Sequence, residues 1–296
     1  MDYELFKKQI LEGLRREESR KDISLHKIEK NNGVILDAVT ITDGEEQMVP
    51  TIYLKDFYES YLRGIPMEEI IYQILEINEE KGIRGGRIDT VVFEDYNKAK
   101  SHICYKVINQ EMNKDLLRNV PYVSFLDLAV VFYYRIDEDV IRGGSFLVHN
   151  CNMESWGVTV QELYADAELN TSRNLPYSFQ GMEEMLCQLL GGVPMEKEGR
   201  KEEEEMFILT NSSKYYGAAA MLYPHVLSHI SKLLHGNYFV LPSSIHECIL
   251  VPDTGKFTQD ELERMVREVN ETQVEAEEVL SHHVYYYDSA KDLLEM

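Results

Sequence analysis

Between Ile23 and Thr42 the chain reads ISLHKIEK, then Asn31-Asn32-Gly33, then VILDAVTIT. Two extended runs joined by Asn-Gly form the strongest short-range hairpin signal, because the tight turn needs left-handed backbone that asparagine and glycine adopt at little cost. An antiparallel pair is therefore expected at this point. From Ser101 the same texture returns as HICYKVIN, then VPYVSFLDLAVVFYYRI, a turn at Gly143-Gly144, and SFLVHN. Strands follow strands and helices follow helices without a βαβ rhythm, which predicts an α+β fold built mainly on antiparallel sheet with packed helices. A soft boundary near residue 100 separates a hairpin-plus-helices subdomain, 1–100, from an antiparallel sheet and helices, 101–296. A short strand at Thr90-Val91-Val92-Phe93 finishes the first or opens the second.

Helical segments are read from apolar spacing and end signals. Leu5, Phe6, Ile10 and Leu14 share one face of an opening helix. Phe57, Tyr58, Tyr61 and Leu62 mark a second that starts near Lys55, and Gly64-Ile65-Pro66 breaks it. Met67 opens a third, carrying Ile70, Ile71, Ile74, Leu75 and Ile77. Asn152 is read as the N-cap of a helix with Trp156 and Leu163, and Gly181 to Leu190 as another closed by Gly191-Gly192, with a polar loop from Asn170 to Pro176 between them. Met206 to Leu209 reads as strand, Gly217 to Leu234 as a helix restarted at Pro224, and Tyr238 to Val251 as two short strands. Thr258 with Glu261 three residues on has capping-box spacing. The tail HHVYYYD reads as a final strand.

Charge limits the partners. Acidic residues outnumber basic ones 52 to 30, a net charge of -22 that repels phosphate backbones and anionic membranes, so neither direct nucleic-acid binding nor membrane association is expected. No run approaches the ~20 apolar residues of a membrane span. The start, MDYELFKKQILEGLRREESRK, is charged and amphipathic, unlike a secretory signal. Cys104, Cys151, Cys187 and Cys248 are dispersed, which fits buried thiols in a reducing, cytoplasmic setting.

Two polar clusters interrupt the apolar stretch from Met206 to Pro252: Asn211-Ser212-Ser213-Lys214 and Ser243-Ser244-Ile245-His246-Glu247. Each follows an expected strand, where binding and catalytic groups gather. The first, ahead of Gly217, has the ingredients of an anion cradle, hydroxyls and a lysine before a helix start, yet the same residues are ordinary capping chemistry. His246-Glu247 does not extend to H-E-x-x-H, since the fifth residue is Leu250, and in a strand the two side chains diverge. His225 and His229 have i, i+4 spacing, but the buried face defined by Val226, Leu227, Ile230, Leu233 and Leu234 leaves them toward solvent. No metal or cofactor is expected. No P-loop, dinucleotide fingerprint or nucleophile elbow occurs. The 19 tyrosines belong to core and rim.

PTIYLKDFYESYLRG, VPYVSFLDLAVVFYY, AELNTSRNLPYSF, VLPSSIHECILVP and VNETQVEAEEVLSHHVYYYD together resemble a bacterial family catalogued as domain of unknown function 5688. The resemblance runs over nearly the whole chain and implies a single family-level unit of bacterial, cytoplasmic origin. It brings no catalytic residues. The expected function is a non-catalytic interaction or ligand-binding protein, with an unknown protein or a small polar ligand as partner. Asn211, Ser212, Ser213, Lys214, Ser243, Ser244, His246 and Glu247 are its candidate contacts. One alternative is a hydrolase-like enzyme with Ser243 or Ser244 as nucleophile and His246 as base. Another is an acidic decoy that docks a basic protein.

Overall fold

The computed structural model describes residues 1–44, 49–81, 92, 94–136, 144–189 and 206–296. The fold is α+β, and its described strand pairings are antiparallel. The chain divides into two compact units, Met1–Val91 with Arg135–Phe146, and Val92–Tyr134 with Leu147–Met296.

In the first unit α1 (Tyr3–Glu17) starts where the Asp2 carboxylate accepts from the Leu5 N–H at 2.8 Å. Phe6, Ile10 and Leu14 are fully buried, each contributing roughly 1.5–3 kcal/mol. Leu5 is 45% exposed, so the apolar face is one residue narrower than the spacing suggests. The hairpin is present: β1 (Asp22–Glu29) pairs β2 (Ile35–Thr42) from Asp22↔Thr42 to Glu29↔Ile35. Its turn places Asn32 at φ +60° and Gly33 at φ +68°, the conformation those residues were expected to supply. β3 (Ile52–Tyr53) adds to β2, and α2 (Lys55–Leu62) and α3 (Met67–Lys81) complete the unit. α1 and α3 pack on the sheet through Ile10, Leu14, Val39, Ile41, Ile70 and Ile74. Buried Lys7 is held by Asp37 at 2.8 Å. Of the expected strand Thr90–Phe93, only Val92 lies within the described residues, and Gly143 and the Gly191-Gly192 helix end lie outside them.

The second unit opens with α4 (Tyr96–Ala99), followed by β4 (Ile103–Asn109), β5 (Tyr122–Phe125) and β6 (Leu128–Arg135), whose last residue falls in the first unit, and then β7 (Ser145–Leu147), of which only Leu147 falls in the second. β6 lies between β4 and β5, and its residues Leu128–Tyr134 are buried throughout. Next come α5 (Asn150–Trp156), α6 (Val160–Asn174), β8 (Tyr177–Gly181), α7 (Met182–Leu189) and β9 (Phe207–Asn211). A 3-10 segment Gly217–Leu222, α8 (Val226–Leu234), β10 (Tyr238–Leu241), β11 (Cys248–Pro252), α9 (Gln259–Thr272), β12 (Tyr285–Asp288) and β13 (Leu293–Glu295) follow. Six of these strands form one sheet, in the order β13-β12-β10-β11-β9-β8. α9 covers it with Leu262 and Val266 against Phe239, Leu241 and Val251. Among the described residues no helix is long and apolar enough to cross a membrane.

Several local expectations change. The N-cap of α5 is His149; Asn152 sits three residues in and reaches back to accept from the His149 N–H at 2.9 Å. The polar run Asn170–Asn174 is helix, because its side chains serve the edge of β4. Asn170 Nδ2 donates to the Lys100 and Ile103 carbonyls at 2.7 and 3.0 Å, and Thr171 Oγ1 accepts the Tyr105 N–H at 2.9 Å. Gly181 ends a strand and does not begin a helix. Leu233 is 52% exposed and leaves the buried face of α8. Cys104 and Cys248 are buried as expected, whereas Cys151 is exposed.

Candidate functional site

The two polar clusters lie at the same end of the six-stranded sheet. β9 ends in Asn211, and the antiparallel neighbour β11 begins at Cys248, with Cys248 opposite Leu209. The residues that leave β9 and those that enter β11 therefore meet. Thr210 Oγ1 donates to the His246 carbonyl at 2.8 Å, and the Tyr216 N–H donates to His246 Nδ1 at 3.2 Å. Gly217 makes this junction possible. A Cβ there would stand 2.0 Å from Thr210 Oγ1 and 2.4 Å from the His246 carbonyl oxygen.

Asn211 belongs to the strand and is 1% exposed. Its Nδ2 donates to the Tyr215 carbonyl at 2.9 Å, and its Oδ1 accepts from Ser213 N and Oγ at 3.0 and 2.9 Å. It clamps the loop from within, leaving Ser212, Ser213 and Lys214 exposed on its crest. Lys214 and Tyr216 both have left-handed φ, +56° and +55°, at a cost of roughly 1–2 kcal/mol each. Strain of this kind concentrates at functional sites. The following segment is a short 3-10 turn whose Ala218 N–H is taken by the Ile245 carbonyl at 3.3 Å, so it lacks the open helix start of an anion cradle.

Ser243 and Ser244 are buried. The Leu280 N–H donates to the Ser243 carbonyl, the Ile245 N–H donates to the Glu278 carbonyl, and Ser244 bridges Val279. These bonds turn the chain, so Ile245 and His246 form a bend and the strand starts only at Cys248. The expected divergence of His246 and Glu247 across a strand does not apply. Ser244 Oγ accepts from the His246 N–H at 3.0 Å.

The tautomer of His246 follows from its neighbours. Nδ1 accepts from a backbone N–H, so in the neutral ring the proton sits on Nε2, which faces Glu278 Oε1 at 3.3 Å. The imidazole is 16% exposed and Glu278 41%. Tyr216 stacks at 6.1 Å between centroids, Tyr215 lies at 5.0 Å, and the Lys106 ammonium sits 4.0 Å over the Tyr216 ring. Burial pushes the Glu247 carboxyl up; the nearby His246 and the Ser244 hydroxyl oppose this, and the Glu278 charge adds to it. Together these groups form an aromatic cluster, with Tyr215 tilted against Tyr216 and His246, that has carboxylates nearby, which suits recognition of a donor-rich group.

His225 does not join His229 on α8: it is the N-cap, at φ +64°, and both rings are exposed. His282 lies ahead of β12, which starts only at Tyr285 and is followed by β13, so HHVYYYD is not the last strand; the His282 Nδ1 is 3.1 Å from Asn270 Nδ2. Among the described residues no three His, Cys, Asp or Glu side chains gather in a metal-holding group.

Glu278 and Tyr216 escape sequence reasoning because only strand pairing brings them to His246. A second constellation escaped as well. Asp127, in the two-residue turn between β5 and β6, accepts from Ser281 Oγ at 2.7 Å and from the Tyr285 hydroxyl. Both donors are fully buried. Burial, reinforced by the Asp127 charge, holds the Tyr285 phenol protonated far above its ordinary range. The available sign was the pair Leu126-Asp127 between two extended runs.

No curated protein and no solved structure matches the chain. A family model described as "Family of unknown function (DUF5688)" matches residues 3–289, close to the full length, and the chain belongs to that family.

Proposed function

We propose that this is a non-catalytic, cytoplasmic bacterial protein that binds a partner or a small polar ligand through the joined strand ends around His246. The observation that carries the reading is the commitment of both imidazole nitrogens, Nδ1 to the Tyr216 N–H at 3.2 Å and Nε2 to Glu278 at 3.3 Å. A general base needs a ring lone pair aimed at a nucleophile. Here that lone pair is spent on the backbone, and Ser244 Oγ is engaged by the His246 N–H. What the surface offers is the half-exposed Tyr215 ring and the Glu278 carboxylate, each packed beside His246. Aromatic faces and carboxylates favour a cationic or donor-rich group. Dispersed cysteines support the cytoplasmic assignment, and a net charge of -22 argues against nucleic acid as the partner.

The test is an NMR titration with a tetralysine peptide and a tetraserine control. Tetralysine is expected to shift Tyr215, His246 and Glu278 saturably, with Tyr215→Ala weakening binding about 3–10-fold. Shifts spread over the whole acidic surface and lost in moderate salt favour the acidic-decoy reading instead. Fluorophosphonate labelling that disappears in Ser243→Ala/Ser244→Ala would establish the hydrolase alternative and end this proposal.

A further inference from the structure

Asp127 is held in a way that a merely solvated turn carboxylate is not. Ser281 Oγ and the Tyr285 hydroxyl, both at 0% exposure, donate to its two oxygens from residues 154 and 158 positions away. A carboxylate accepts about four hydrogen bonds. Two are fixed from inside, so the group is oriented while acceptor capacity remains. Asp127 also lines a cleft of about 550 Å³, together with Glu111, Lys114, Leu117, Arg118, Tyr122 and Leu126.

Leu126 supplies an independent sign. It is the first residue of a two-residue hairpin turn, with Phe125 opposite Leu128, and its φ is +51°. Glycine or asparagine adopts that conformation easily and leucine does not. The turn nonetheless carries an apolar side chain that lines the cleft and is 38% exposed, as is Tyr122. A strained apolar residue beside an anchored carboxylate is the composition of a binding cleft rather than of an economical turn.

The cations complete the pattern. Lys114 pairs with Glu111, and Arg118 with Asp115 at 3.1 Å, all through side chains at least 64% exposed. Exposed pairs three residues apart hold weakly and exchange readily for a better-placed anion. The geometry points to a site for a small zwitterion, an α-amino acid or the free end of a short peptide. Its ammonium group meets Asp127, its carboxylate meets Lys114 and Arg118, and an apolar side chain lies along Leu117, Tyr122 and Leu126. This site is independent of the surface around His246.

Isothermal titration of the full chain with L-leucine, N-acetyl-L-leucine and L-leucinamide tests it. L-Leucine is expected to bind saturably, and loss of either charge, by acetylation or amidation, to weaken binding about tenfold or more. Asp127→Asn should abolish the preference for the free amine over the acetylated form. Because that variant also removes the acceptor for Ser281 and Tyr285, Arg118→Gln, on the exposed side, serves as the second variant and should cost about tenfold. Equal affinity for the three compounds, unchanged L-leucine binding in Arg118→Gln, or no saturable heat with L-leucine overturns the proposal. Since shifts at Tyr215 and His246 are read separately, failure here leaves the reading of that surface standing.

Discussion

Gly217 shows how tightly single atoms constrain the junction of the two polar clusters. Its hypothetical Cβ conflicts with Thr210 Oγ1 at 2.0 Å, the His246 carbonyl at 2.4 Å and the Asn211 nitrogen at 2.7 Å, and two of these are backbone atoms that cannot rotate away. Gly217→Ala is therefore expected to cost about 2–3 kcal/mol, read as a lower urea midpoint with an unchanged slope. A variant within about 0.5 kcal/mol of the parent would mean that the strands part without loss. Leu126 poses the opposite case, a residue whose replacement should help folding. Leu126→Asn relieves the left-handed strain and should raise stability by about 0.5–1 kcal/mol, measured in the same urea titration. An unchanged or lower midpoint would show that the packing of the leucine outweighs its backbone cost.

At the scale of elements, the signals that were legible are those that act within a few residues. The capping box of α9 is one: the Thr258 N–H donates to Glu261 Oε2 at 2.9 Å, and the Glu261 N–H donates to Thr258 Oγ1 at 3.3 Å. Thr258→Ala should cost about 1 kcal/mol and lower the thermal midpoint. The hydrogen bonds from Thr258 hold the Glu261 carboxyl below its ordinary value. A depressed carboxylate contributes stability that is present above its unfolded value and is lost as pH falls through the folded one. The deficit of the variant should thus be full at neutral pH and shrink on acidification; a deficit independent of pH would exclude the carboxylate from the effect. The turn at Asn32-Gly33 was equally readable. Asn170 and Thr171 were not, since their partners at Lys100, Ile103 and Tyr105 lie 66–70 positions away, and in isolation a polar run resembles a loop. The candidate site divides the same way. His246 and Asn211 stood out as polar residues in an apolar stretch, but the pairing of β9 with β11, which gives His246 its Tyr216 partner, is a long-range fact.

For the molecule as a whole, the dominant quantity is its charge of -22. Like charges repel most strongly in the compact state, and salt screens them over a length that falls from about 30 Å at 0.01 M to about 10 Å at 0.1 M. Raising NaCl across that range should raise Tm by a few degrees, measured by scanning calorimetry. A fall in Tm would show that the surface ion pairs outweigh the repulsion. The anchoring of Asp127 also gives the molecule an order in time. Its two buried donors, Ser281 and Tyr285, follow it by 154 and 158 residues. At a synthesis rate of roughly 5–20 residues per second, the carboxylate waits roughly 8–30 s on the ribosome before either hydroxyl exists. On a nascent chain the carboxylate is thus unanchored, and a message truncated before codon 281 yields a protein that carries β5 and β6 but neither donor that orients Asp127.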